Sequence, residues 1–181
     1  SCTVNTALLI ELLDTSLKIS LGAAIAGVAG WIVMRRNAQP GSRWQQEDRR
    51  LGLFEQISGQ VGQVTHIFAK YSSLATESIQ FGERWPMARK QELNSINAEL
   101  VSEFKRLADA ESKLLMLGEK NLERSLRLYG SQIALFRKQV YAGRPDISLE
   151  QVAALKQEVV RGREKFYDLL SRKYDRLLAS A

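Results

Sequence analysis

Apolar and polar positions divide this chain into two unlike parts. From Ile19 to Met34 it reads ISLGAAIAGVAGWIVM, a run without a single charge. Leu17 and Lys18 extend the run, and Lys18 can snorkel toward a surface. A spanning helix needs about 17–25 mostly apolar residues, so the pattern predicts one transmembrane helix. Trp31 stands near its far end, where interfacial tryptophan is favoured, and Arg35 and Arg36 follow at once. Upstream, the apolar stretch Ala7 to Leu17 is interrupted by Glu11 and Asp14. Thr3 to Ser16 reads as an amphipathic segment at the outer surface.

Beyond residue 46 the pattern becomes periodic. Phe54, Ile57, Val61, Val64, Phe68, Tyr71 and Ala75 alternate at spacings of three and four, a heptad seam that predicts a helix over residues 47–81. Leu93, Ile96, Leu100, Phe104, Leu107, Leu114 and Leu117 carry a second seam. Leu122, Leu126, Tyr129, Ile133, Phe136 and Val140 carry a third. Gly118 between them is either a C-cap or a kink. Ala142–Ile147 reads as the clearest turn. Ser148 and Gln151 then form a capping-box pattern that opens a last helix with Val152, Leu155, Val159, Phe166, Leu170, Tyr174 and Leu177 inside. No useful stretch alternates with period two. The expected fold is all-α: an N-terminal transmembrane helix followed by an antiparallel bundle of three to four long helices. Residues 1–36 hold the amphipathic segment and span, 37–46 a linker marked by Pro40, Gly41 and Ser42, and 47–181 the bundle.

Charge orients this arrangement. Residues 1–34 hold Glu11, Asp14 and Lys18, a net of −1, whereas residues 35–181 hold 25 basic and 18 acidic residues, a net of +7. Positive flanks stay on the cytoplasmic side. The N-terminus is therefore expected outside and the bundle in the cytoplasm, at a plasma membrane of bacterial inner-membrane type. The acidic lead-in does not suit a cleaved signal peptide, whose first segment is positive. Arg35, Arg36, Arg43, Arg49 and Arg50 crowd the region just past the span and are expected to meet anionic headgroups. Membrane lipid is thus the expected basic-patch partner. Elsewhere bases and acids are interleaved, which argues against nucleic acid.

Within the span, Gly22, Ala26 and Gly30 share one helical face, with Ala23 and Gly27 beside them. Small residues at that spacing let two helices approach closely. The expected protein partners are a second copy of the chain or other subunits of a membrane complex. Glu11, Asp14 and Lys18 supply a competing reading, as pore or interface residues of an oligomeric channel or membrane-disrupting effector.

The catalytic inventory is thin. One Cys and one His argue against a zinc site of Cys and His ligands and against most Ser or Cys hydrolases. There is no Gly-Lys-Ser or Gly-Lys-Thr phosphate loop and no Glu-x-x-His di-iron motif, although Glu99 and Glu103 stand at helical spacing. His66 lies off the core seam and reads as a surface residue, and Cys2 has no supporting context. Glu123 with Arg127 and Asp109 with Lys113 read as surface pairs. The tip Gly143–Arg144–Pro145–Asp146 reads as a plain connection. No catalytic residue, cofactor or metal is expected. The sequence reads as a non-enzymatic, membrane-anchored assembly or interaction subunit.

Overall fold

A computed structural model describes residues 30–31, 42–144 and 146–180. Helix α1 spans Ser42–Phe81. A short 3-10 turn, Gly82–Arg84, leads to α2, Met87–Met116. Helix α3 spans Lys120–Gln139 and α4 spans Leu149–Ser180. No strand occurs among the described residues. At 1.5 Å per residue the four helices measure about 60, 45, 30 and 48 Å in chain order. None of the described helices is long and apolar enough to cross a membrane. The expected span from Leu17 to Met34 lies outside the described residues, apart from Gly30 and Trp31, which are helical.

Glu47–Ala181 forms one compact unit. Side-chain contacts fix the course of its chain. Gln60 and Glu77 of α1 meet Asp109 and Arg89 of α2, so these helices are antiparallel. Glu55 and Ser58 of α1 meet Tyr174 and Tyr167 of α4, again antiparallel. Arg137 of α3 reaches Asn97 of α2, and Lys173 of α4 reaches Glu119 beside the start of α3. The helices therefore run up, down, up, down, with α1 and α3 parallel and touching across the centre.

The heptad seams fill that centre. Phe54, Ile57, Val61, Val64, Leu100, Leu114, Leu126, Tyr129, Ile133, Phe136 and Phe166 are essentially fully buried. Burying each such side chain contributes about 1.5–3 kcal/mol. Phe136 lies edge-on to Phe68 and Tyr71, with ring centroids 5.1 and 6.4 Å away. Tyr71 and Tyr129 carry their hydroxyls into the core and satisfy them there. Tyr71 donates to the carbonyl of Val140 at 2.8 Å, and Tyr129 pairs with Thr65 Oγ1 at 2.7 Å. A buried hydroxyl without such a partner would be costly.

Boundaries follow local chemistry. Helix α1 starts at Ser42 rather than at residue 47, because nothing in Ser42–Gln46 breaks a helix once Gly41 has passed. Five residues read as linker are thus helical. Gly118 is a turn and not a kink. Its φ of +73° lets its N–H reach the carbonyl of Leu115, while Glu119 N–H reaches that of Leu114. From Ser42 on, the described residues therefore form four helices. The capping box forms as written in the sequence: Gln151 N–H donates to Ser148 Oγ at 3.1 Å, and Ser148 N–H to Gln151 Oε1 at 2.9 Å.

Candidate interaction surface

The four helices differ most on their outward faces. Helix α4 carries 12 charged residues in 32, α2 carries 10 in 30 and α3 carries 6 in 20. From Leu51 to Phe81, α1 carries three: Glu55, Lys70 and Glu77. Two of these are engaged at its margins. Glu77 holds Arg89 at 2.6 Å, and Glu55 accepts from Tyr174 at 2.9 Å.

Between these margins runs a second heptad line, on the side of α1 opposite its core seam. It runs through Gly52, Gln56, Gly59, Gln63, His66, Lys70 and Ser73, again spaced alternately by four and three, and its next position is Glu77. Gly52 and Glu77 are half-buried and the rest are exposed, as are neighbouring Gly62 and Ala69. This face is bordered on the α2 side by Gln60, which binds Asp109 at 2.6 Å. It is bordered on the α4 side by Tyr167, whose hydroxyl reaches the carbonyl of Ser58 at 3.1 Å.

The glycines on this line are informative. Each helical glycine costs about 1 kcal/mol against alanine. Gly162 in α4 has a visible reason, because a Cβ there would meet Tyr129 Cα at 3.4 Å. Gly130 has one too, against Leu107 at 3.4 Å. A Cβ on Gly52 or Gly59 would meet nothing within 4 Å, and one on Gly62 would make an ordinary 3.8 Å contact with Tyr167. The bundle's own packing gives these three glycines no purpose.

Three concave features stand out among the described residues, one of them an open pocket of about 550 Å³ at the end of the outward line, between Ser73, Glu77, Phe81 and Lys156. At one end the α1–α2 turn meets the α3–α4 turn around a pocket of about 380 Å³ lined by Gly82, Trp85, Lys90, Gly143, Arg144 and Ile147. Trp85 is buried and donates from Nε1 to Glu77 at 2.9 Å, and Arg89 Nε donates to the same carboxylate at 3.0 Å. Hydrogen bonds from Arg89 and then Trp85 hold the Glu77 carboxyl down at about 2. Arg144 folds back, donating to Gln139 Oε1 at 2.8 Å and pairing with Asp146 at 3.0 Å. The tip therefore braces itself, with Pro145 outside the described residues. A shallower groove of about 320 Å³ lies between α1 and α4, over Phe54 and Leu170.

Residues singled out by sequence fall in three groups. Glu11, Asp14, Lys18, Gly22, Ala23, Ala26, Gly27, Arg35 and Arg36 lie outside the described residues. Gly30 is helical and exposed, with open space where a Cβ would sit. Arg43 and Arg49 are exposed and Arg50 half-buried, all on the first turns of α1. His66 is exposed on the outward line of α1. Asp109 and Lys113 pair at 2.9 Å, but they also bind Gln60 of α1 and so brace two helices rather than one face. Glu123 is buried and stands 3.8 Å from Arg127, and its charge adds to burial in raising the Glu111 carboxyl. Of the pair read as a surface feature, Glu123 is therefore buried, while Arg127 is exposed as expected. The Glu77–Trp85–Arg89 node was missed, although a tryptophan directly before Pro86 was its available signal. No group of three or more His, Cys, Asp or Glu side chains among the described residues is placed to hold a metal ion.

No family model, curated protein or solved structure matches this chain.

Proposed function

We propose that the chain is a non-enzymatic, membrane-anchored interaction subunit, whose bundle presents the outward face of α1 to a protein partner at the cytoplasmic side of a membrane. One observation carries this reading. A helix face with a single lysine between its margins, flanked by three heavily charged exteriors, matches the charge depletion at the centre of protein interfaces. The uncharged run from Ile19 to Met34 and the arginines that follow supply the anchor in this reading. The cellular side and the membrane attachment rest on that sequence pattern.

Site-specific photocrosslinking tests the proposal. A photoreactive residue at Gln63 on α1 and another at Lys165 on α4 are compared in the full chain within its native membranes. Protein adducts at Gln63 and none at Lys165 are expected. Equal yields, or adducts at Lys165 alone, would overturn the assignment of the face.

A further inference from the structure

We propose that two copies of this chain pair antiparallel through the outward face of α1, about a two-fold axis between Gly62 and Gln63. This rests on the reading of that face as an interface and names its occupant. The argument is one of register. An antiparallel two-fold places each residue opposite the one equally far beyond the Gly62–Gln63 midpoint. Lys70 then stands opposite the partner's Glu55, and Glu55 opposite the partner's Lys70. The face's single lysine and Glu55 are thus equidistant from the axis and opposite in sign, while Glu77, which falls opposite the partner's Asp48, is already neutralised by Arg89 at 2.6 Å. Glu55 is exposed and uses Oε1 for Tyr174, which leaves its second oxygen for the lysine. Among the described residues Lys70 forms no ion pair within its own chain.

Size is complementary in the same register. His66 faces the partner's Gly59, Gln56 faces the partner's Ala69, and Gln63 faces the partner's Gly62. Each larger side chain meets a small one, so Gly59, with open space above it, and Gly62 become the holes that admit the other helix. A parallel pairing does the reverse. It sets lysine against lysine and glutamate against glutamate, and like charges placed opposite each other oppose association. A contact between two single helices falls short of the roughly 1,200 Å² typical of stable interfaces, so the pair forms reversibly with concentration. The two α1 N-termini leave such a pair at opposite ends, so one bilayer holds both only if α1 lies along its surface.

The experiment uses the full chain purified in mild detergent. Sedimentation is expected to show a reversible monomer–dimer equilibrium. Glu55→Lys and Lys70→Glu each should weaken it about tenfold or more. The double variant, Glu55→Lys with Lys70→Glu, should restore it, because each altered residue faces the other across the axis. In a Cys2→Ser background, Gln63→Cys should form a disulfide-linked dimer and Lys70→Cys should not, since two copies of position 70 sit about 22 Å apart along the helix axis. A monomer at all concentrations, a swap as weak as the single variants, or crosslinking at position 70 as ready as at 63 would each overturn the proposal. If Gln63 photocrosslinks to a different protein while the purified chain stays monomeric, self-pairing fails and the interaction-subunit reading stands. If neither adduct nor dimer forms, both fail.

Discussion

Helices α1 and α4 are the two longest in the bundle, and each is buried along one heptad seam, yet their outward faces follow opposite rules. Helix α4 carries charges that pair along its own surface, such as Arg161 with Glu158 at 2.6 Å and Arg172 with Asp168 at 2.9 Å. Such a face is solvated and locally self-consistent. Helix α1 has glutamines, one histidine, one lysine and three glycines there. Glycine in an exposed helix lowers stability, and no contact in the bundle offsets it at Gly52 or Gly59. The inner faces explain the fold. The difference between the outer faces points to a second use for α1, beyond holding the bundle together.

The strongest way to sharpen the contrast sets inside against outside. Phe136→Ala empties a fully buried site beside Phe68 and Tyr71 and should lower stability by about 3–5 kcal/mol in denaturant unfolding. Gln63→Ala, on the outward line, should change the monomer by less than about 0.5 kcal/mol. Comparable losses from the two variants would mean that Gln63 supports the bundle, and the face would lose its interpretation.

The next contrast uses one residue type in two places. Gly162→Val crowds the Tyr129 backbone of α3 and should cost about 1–3 kcal/mol. Gly59→Ala meets nothing and should raise the stability of the monomer by about 1 kcal/mol. If alanine at position 59 also weakens association, the glycine serves pairing. If it destabilises the isolated chain, some contact within the bundle explains it instead.

Much of this bundle was legible because its core is a repeat. The four seams named from spacing supply nearly all the fully buried side chains, and the Ser148–Gln151 box and the Gly118 turn are local signatures that need no tertiary context. What spacing alone did not expose depended on neighbours. Trp85 is buried where the turn folds it back to Glu77, and Glu123 is buried close enough to Glu111 of α2 to raise its carboxyl. The outward line of α1 was equally present in the letters. It acquires meaning only when the core seam fixes which side of α1 faces water, and when the added Cβ atoms find open space.

Acid offers a smaller test, centred on Glu77 near the C-terminal end of α1. Glu77 has its carboxyl lowered from 4.5 to about 2, chiefly by Arg89 and then by Trp85. A carboxyl lowered in the folded state contributes stability that is present above its unfolded value, near 4.5, and is lost as pH falls toward 2. Glu77→Gln should therefore lower stability at neutral pH and flatten the fall between those values. An identical acid profile in wild type and Glu77→Gln would show that the turn node does not couple to folding.

The smallest expected effect bears on α4. Arg161 is well exposed and pairs with Glu158 one turn back, so solvent and salt screen the attraction. Arg161→Ala should move the unfolding midpoint by no more than about 0.5 kcal/mol of stability, and the shift should shrink further at high salt. It should leave the monomer–dimer equilibrium of the full chain untouched, in contrast with Lys70→Glu on α1. A loss of association in Arg161→Ala would move the interface to the charged exterior, and the asymmetry between the two long helices would no longer separate solvent from partner.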